Sequence, residues 1–173
     1  MSVDQVKAAI RDVPDFPKPG ILFKDLTPIW HDPILFRVAV QLFADRHRGR
    51  VIHRIAAIEA RGFLFGAALA HELGIGLAPI RKKGKLPYAC IEQTYDLEYG
   101  TATIEVHKDA FVPGESVLLI DDLLATGGTA QAAAQLIEKL GARVLEIDFL
   151  VELAFLKGRE RLAPHPVYAP IVY

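Results

Sequence analysis

A single cysteine, Cys90, stands in 173 residues. One cysteine cannot close an internal disulfide, and it excludes a cysteine-based zinc site. The six histidines lack metal-ligand spacing. His71-Glu72 has no second histidine where an H-E-x-x-H helix would need it. An excess of either charge is also missing: 20 Lys+Arg face 21 Asp+Glu, for a net charge of −1. No dense basic stripe marks a nucleic-acid-binding surface. No apolar run reaches membrane-spanning length. Met1-Ser2-Val3-Asp4 does not begin a charged n-region and apolar h-region. A cytoplasmic chain with no membrane or nucleic-acid partner is therefore expected. There is no G-x-G-x-x-G, which speaks against a dinucleotide-binding unit. The only Gly-Lys, Gly84-Lys85, is followed by Leu86 and has Pro79 where a P-loop needs its first glycine. Internal repeats, low-complexity tracts and linkers are absent, and the length suits one domain with a sizeable core.

What is present concentrates in Val117 to Thr129. Val117-Leu118-Leu119-Ile120 reads as a buried parallel strand. Asp121 and Asp122 follow at its C-terminal end. The small turn Ala125-Thr126-Gly127-Gly128-Thr129 then opens into a helical pattern from Ala130 to Leu140. In open α/β sheets, ligands sit at the carboxyl ends of strands. A Gly/Thr turn there offers backbone N–H groups and hydroxyls to a phosphate at a helix N-terminus. The adjacent carboxylates can hold sugar hydroxyls or Mg²⁺. Gly127-Gly128 is a weak helix start, because Asn, Asp or Ser would cap better. The segment asks for a phosphorylated sugar.

Elsewhere, Ser2 and Gln5 form a capping-box signature for a helix to about Ile10. Pro14, Pro17, Pro19 and Gly20 force a loop. Ile21 to Leu26 is a short extended segment. Asp32-Pro33 opens a helix with proline at its first position. Ile52 to Ile58 and Leu77 to Ile80 read as strands, with a small-residue helix from Gly62 to Leu73 between them. Lys82 to Tyr95 has weak periodicity and reads as a long loop. Glu98 to Val106 reads as hairpin strands around Gly100. Val144 to Val151 is a further buried strand, and Pro164, Pro166 and Pro170 leave a tail that needs docking. Strands alternating with helices mean a mostly parallel sheet with right-handed crossovers.

Arg61, in Glu59-Ala60-Arg61-Gly62, falls at a second strand-to-helix junction. A cation at a helix N-terminus is unfavourable. Either a bound anion relieves the conflict, or Arg61 pairs with Glu59 or another acid. The run Arg81-Lys82-Lys83-Gly84-Lys85 is either a solvated loop or a second anion contact. Glu98, beside Gly100, is by itself an exposed strand-end residue.

The hydrophobic run, two acids and TGGT resemble the 5-phosphoribosyl 1-pyrophosphate signature of type I phosphoribosyltransferases. IEARGFLFG, IRKKGKLP, LEYG, LVELAFLKGRE with its following LAP, and FPKPGILFKD complete a resemblance to the adenine phosphoribosyltransferase family. It covers essentially the whole chain in family order.

The resemblance implies a single α/β domain over 1–173 with the type I phosphoribosyltransferase fold, a mostly parallel central sheet flanked by helices. Residues 1–32 would form an N-terminal hood, and 82–106 a flexible catalytic loop and hairpin. Asp121 and Asp122 would bind ribose hydroxyls and Mg²⁺, directly or through water. Ala125, Thr126, Gly127, Gly128 and Thr129 would cradle the 5′-phosphate. Arg61 would contact pyrophosphate, with Arg81, Lys82 and Lys85 nearby, partly across a homodimer interface. Leu22, Phe23 and Lys24 would form the adenine pocket. Lys24 stands where many relatives carry Arg, so backbone contacts would survive but a guanidinium stack would not. Glu98 and Tyr99 would belong to the loop that closes over the site, with Glu98 serving the proton on the base. The implied reaction is adenine plus phosphoribosyl pyrophosphate giving AMP and pyrophosphate. A phosphoribosyltransferase for xanthine or hypoxanthine, or a non-enzymatic phosphoribosyl-pyrophosphate sensor, are the alternatives.

Overall fold

The computed structural model describes residues 2–97 and 100–173. The chain falls into two compact units, Met1–Arg48 and Gly49–Tyr173.

The first unit begins with α1 (Val3–Ala9). The Ser2 N–H donates to Gln5 Oε1 at 3.0 Å, as the capping-box spacing requires. β1 (Arg11–Pro14) pairs antiparallel with β2 (Leu22–Asp25), and the Pro/Gly loop joins them. α2 (Thr27–His31) follows, its first N–H held by the Asp25 carboxylate at 3.0 Å. α3 (Pro33–His47) carries proline at its start. Asp32 caps it, accepting from the N–H groups of Ile34 at 2.8 Å and Leu35 at 3.1 Å. The three helices pack on one another, with Val6, Ile29 and Phe43 fully buried.

The second unit is built on an eight-stranded sheet. Its elements are β3 (Arg54–Ile58), α4 (Gly62–Leu73), β4 (Gly76–Lys82), β5 (Cys90–Asp96), β6 (Thr101–His107), β7 (Ser116–Leu124), α5 (Gly128–Lys139) and β8 (Arg143–Glu152). A 3₁₀ turn (Ala154–Leu156), α6 (Gly158–Leu162), β9 (Val167–Tyr168) and β10 (Ile171–Val172) complete it. The spatial order is β10-β8-β7-β3-β4-β6-β5, with β9 also on β8. Pairings among β3, β4, β7 and β8, and those of β9 and β10 on β8, are parallel; β4–β6 and β5–β6 are antiparallel. The proline-rich tail is thus docked as two short strands.

Side-chain alternation supplies the two faces. On one, Ala56, Ile58, Val117 and Leu119 form a core with Ala133, Leu136 and Ile137 of α5. On the other, Gly66 of α4 lies so close that a Cβ there would meet Ala57 Cβ at 2.5 Å. The small residues of α4 allow this approach. Strand order reverses between β3 and β7: β3 leads through α4 to β4, while β7 leads through α5 to β8 on the other side. That switch point is where open α/β sheets bind ligands.

Two expectations need correction. β7 does not stop at Ile120 but continues to Leu124, so Asp121 and Asp122 lie inside a strand rather than past it. The long loop expected from Lys82 to Tyr95 is cut short by β4, which reaches Lys82, and by β5. In β5, half-buried Ile91, Gln93 and Tyr95 alternate with exposed Glu92, Thr94 and Asp96. Gln93 at an inward position hides the period. β5 and β6 form the hairpin, and the Leu97 N–H bonds the Gly100 carbonyl at 2.9 Å. Among the described residues, no helix is long and apolar enough to cross a membrane.

Candidate active site

Parallel pairing of β3 with β7 sets Ala57 beside Ile120. Residues just after β3 therefore meet those at the end of β7. Arg61 Nε lies 2.8 Å from Asp122 Oδ2, an ion pair that is not aligned as a hydrogen bond. Arg61 is half-exposed while Asp122 is buried. Asp121 Oδ1 accepts the Asp122 N–H at 2.8 Å. Gly62 opens α4 against this carboxyl: a Cβ there would stand 2.8 Å from Asp121 Oδ1. Burial raises the Asp121 carboxyl well above the usual range, and the neighbouring Asp122 charge raises it further. Burial also raises Asp122, and Arg61 only partly offsets this. Two carboxylates with insufficient positive charge form an oxygen donor set that fits Mg²⁺.

The turn after β7 completes a cradle. Gly127 takes the left-handed conformation, φ 82°, and serves as N-cap without a side-chain cap for α5. The first N–H groups of this helix are thus left without the usual side-chain oxygen. Such a terminus binds phosphate by geometry and dipole together. Thr129 lies in the first turn, and its hydroxyl donates to Tyr95 Oη at 3.0 Å. A cleft of about 430 Å³ adjoins Thr126, with Leu97, Leu156, Lys157 and Arg161 among its lining residues.

The basic segment, which begins in the last two residues of β4, is folded rather than solvated at its root. Arg81 pairs with Glu59 at 3.1 Å and donates to the Lys85 carbonyl at 3.0 Å. The Lys82 N–H donates to Glu59 Oε2 at 2.9 Å. The Arg81 hydrogen bond lowers the Glu59 carboxyl against its burial. Glu59 is therefore the partner of Arg81, and the acid that holds Arg61 is Asp122. Buried Glu105 accepts the N–H groups of Lys85 at 2.9 Å and Leu86 at 2.8 Å, which shapes the turn. Lys82 and Lys85 are exposed, and among the described residues their ammonium groups have no ion-pair partner.

Phe23 meets Phe16 edge-on, with centroids 5.1 Å apart, and the Lys24 ammonium pairs with Asp12. The Lys24 side chain is thus engaged, and Lys24 stands opposite Asp12 in the β1–β2 ladder. Glu98 and Tyr99 lie outside the described residues. Sequence reading gave no role to Tyr95, Lys157, Gly158 or Arg161, although Lys157 and Gly158 fall in the LKGRE segment and Arg161 follows it directly. Gly158 is the tightest of them: its Cβ would lie 2.2 Å from the Ala125 carbonyl oxygen.

A family model described as a phosphoribosyl transferase domain matches residues 30–166. The chain belongs to the phosphoribosyltransferase family. Within it, the similarity is to adenine phosphoribosyltransferases. That of Nitrosococcus oceani is 52% identical over 171 residues, covering 99% of this chain and all of the relative. The crystal structure of adenine phosphoribosyltransferase from Thermoanaerobacter pseudethanolicus superposes with TM-score 0.97 at 49% identity, covering 99% of this chain and 100% of that one. The Saccharomyces cerevisiae enzyme, complexed with an imino-altritol bisphosphate and adenine, has TM-score 0.93 at 43% identity, with 98% of each chain covered.

Proposed function

We propose that this chain transfers the phosphoribosyl group of 5-phosphoribosyl 1-pyrophosphate to adenine, giving AMP and pyrophosphate. One observation carries the reading: at the sheet's switch point, the β7 acid pair runs directly into the uncapped Gly127-Gly128 helix start. Ala125 to Thr129 hold the 5′-phosphate. Asp121 and Asp122 hold the ribose hydroxyls and Mg²⁺, directly or through water. When bound, Mg²⁺ neutralises the leaving pyrophosphate. Arg61, Lys82 and Lys85 supply further positive charge to it. Arg81 contributes through the turn it braces as well as by its charge. Leu22, Phe23 and Lys24 receive the base through an aromatic face and backbone groups, as the N-terminal hood of one domain spanning 1–173. C1 of the ribose gains oxocarbenium character, which water would intercept, so the site must exclude solvent. Glu98 manages the proton that adenine loses, and Tyr99 closes with it in the segment 82–106. A cytoplasmic setting belongs to the same proposal, and a lone thiol at Cys90 agrees with a reducing compartment.

Pyrophosphate release measured with single bases tests the reading. Adenine should turn over, and competing bases should fall by orders of magnitude, because an unpaired polar edge in a closed pocket is costly. Comparable turnover with hypoxanthine or guanine would assign another purine. Binding without any turnover would assign a sensor.

Asp121→Asn and Asp122→Asn test the acid pair. Each should weaken Mg²⁺-dependent binding of phosphoribosyl pyrophosphate by at least roughly 10-fold, the lower end of losses when a metal site is disturbed. Their effect on the ligand-free fold has the opposite sign. Carboxyls raised in the folded state favour folding while protonated. That contribution is present below their unfolded values, near 4, and is lost as pH rises through the raised folded values. The contribution of this pair should therefore fall from about pH 4 upward, and Asp121→Asn should remove its share of that fall and raise Tm at pH 7. An unchanged fall with unchanged binding in calorimetry would remove both roles from Asp121.

A homodimer with Arg81 serving the partner's site is the third expectation. Mixed Arg81→Ala and Asp122→Asn subunits should regain activity after exchange. The Glu59 pair gives a competing outcome, in which Arg81→Ala only loosens its own turn and no complementation occurs. Ultracentrifugation at assay concentration reads the oligomeric state directly.

A further inference from the structure

We propose that Tyr95 is a positioning residue for the 5′-phosphate, acting through Thr129 in a two-hydroxyl relay that also ties β5 to the phosphate cradle. This rests on the reading of residues 125–129 as that cradle. The Thr129 hydroxyl carries one proton, and in the ligand-free protein it donates this to Tyr95 Oη across 3.0 Å. A phosphate oxygen in the cradle needs the same proton. Tyr95 allows Thr129 to turn it outward without losing the bond, because the phenolic O–H can then donate to Thr129 Oγ1. The bond persists with donor and acceptor exchanged. Hydrogen bonds in such a chain polarise one another, so Thr129 becomes a better donor to the anion.

The surroundings hold Tyr95 in place for this. A Cβ on Gly128 would stand 3.5 Å from Tyr95 Cδ2 and 3.6 Å from the Asp96 carbonyl oxygen, so the ring and its strand end lie against the first residue of α5. β5 packs along α5 beyond this point. That is ordinary van der Waals distance for the ring; the tighter neighbour of residue 128 is Arg161 Nη1, 3.1 Å from the same Cβ position. A tyrosine needed for bulk alone could lose its hydroxyl freely, yet this hydroxyl meets the threonine of the cradle.

Calorimetric titration with ribose 5-phosphate, which has no base and no pyrophosphate, separates these roles. Tyr95→Phe keeps the ring over Gly128 and removes only the hydroxyl. It should weaken ribose 5-phosphate binding by about 2- to 10-fold, the range for one net hydrogen bond, with Tm little changed. In a Thr129→Val background, Tyr95→Phe should cost nothing further. In a Thr129→Ser background, which retains the hydroxyl, the cost should return. Unchanged affinity in Tyr95→Phe, or an equal further loss in the Thr129→Val background, would overturn the relay. If the wild-type protein failed to bind ribose 5-phosphate, the cradle reading itself would fall, and the relay with it. Normal binding by the wild type with an indifferent Tyr95→Phe would remove the relay alone.

Discussion

Gly158→Ala should lower kcat/KM for phosphoribosyl pyrophosphate by about 100-fold, although residue 158 has no part in the signature turn; a displacement of roughly 1 Å in a positioning element can cost that much in rate. The cause is a backbone contact. A Cβ at Gly158 would lie 2.2 Å from the Ala125 carbonyl oxygen and 2.8 Å from Leu124 Cδ1. The glycine at 127 meets the same place from the other side, where its Cβ would stand 2.7 Å from the Gly158 carbonyl oxygen. No flexible side-chain end can yield between Gly158 and Ala125, so the cradle or the start of α6 must move. Overpacking of this kind costs about 1–3 kcal/mol in stability. Gly74→Ala is the control. Gly74 ends α4 with φ 66° and has open space around its Cβ position. Alanine there strains the backbone and should lower Tm, with activity unchanged. Steady-state kinetics and thermal unfolding of the two variants decide the matter. If Gly158→Ala kept wild-type KM and kcat, the contact would not set the cradle's shape.

The contrast between Gly127 and Gly158 shows what a single sequence makes legible. Gly127 follows an apolar strand and two acids within one segment, and local rules suffice to read it. Gly158 matters because α6 folds back onto the end of β7, and no local pattern announces that. The helix from Gly62 to Leu73 was readable to the residue as a run of small and apolar residues, and it ends at Gly74 in the left-handed conformation. The end of β7 was not. Charged residues usually mark a strand's exit, yet parallel pairing with β8 carries β7 through both aspartates to Leu124. The charge partners were open for the same reason. Glu59 and Arg61 are neighbours in sequence, but the Glu59 N–H bonds the Ile80 carbonyl at 2.9 Å, which delivers Glu59 to Arg81. Arg61 is left facing β7 and Asp122. Which of two acids an arginine meets depends on strand order, and strand order at a switch point is a non-local property.

Glu98→Gln should slow the chemical step by about 10²–10⁴-fold, the usual contribution of general acid–base assistance. Glutamine preserves the shape and part of the hydrogen bonding but cannot take a full proton. Glu98 lies outside the described residues, and its assignment rests on the LEYG segment of the family resemblance. Gly100 takes a positive φ of 82° at the foot of β6, a conformation that glycine adopts without strain. Tyr95, three residues before Glu98, is held to the cradle by Thr129. Binding of phosphoribosyl pyrophosphate should change little, because the proposed partner of Glu98 is the base. Glu98→Ala should lose similar chemistry and some closure. The alternative makes Glu98 a solvated residue beside a glycine, for which substitution shifts stability by less than about 0.5 kcal/mol and leaves catalysis alone. Single-turnover measurements across pH distinguish the two, because they isolate the chemical step from product release. A general base should leave a pH dependence in the wild type that is missing in Glu98→Gln. An unchanged chemical step in that variant would remove the acid–base role from Glu98, while the cradle at 125–129 and the acid pair of β7 would keep their assignments, since neither depends on how the base loses its proton.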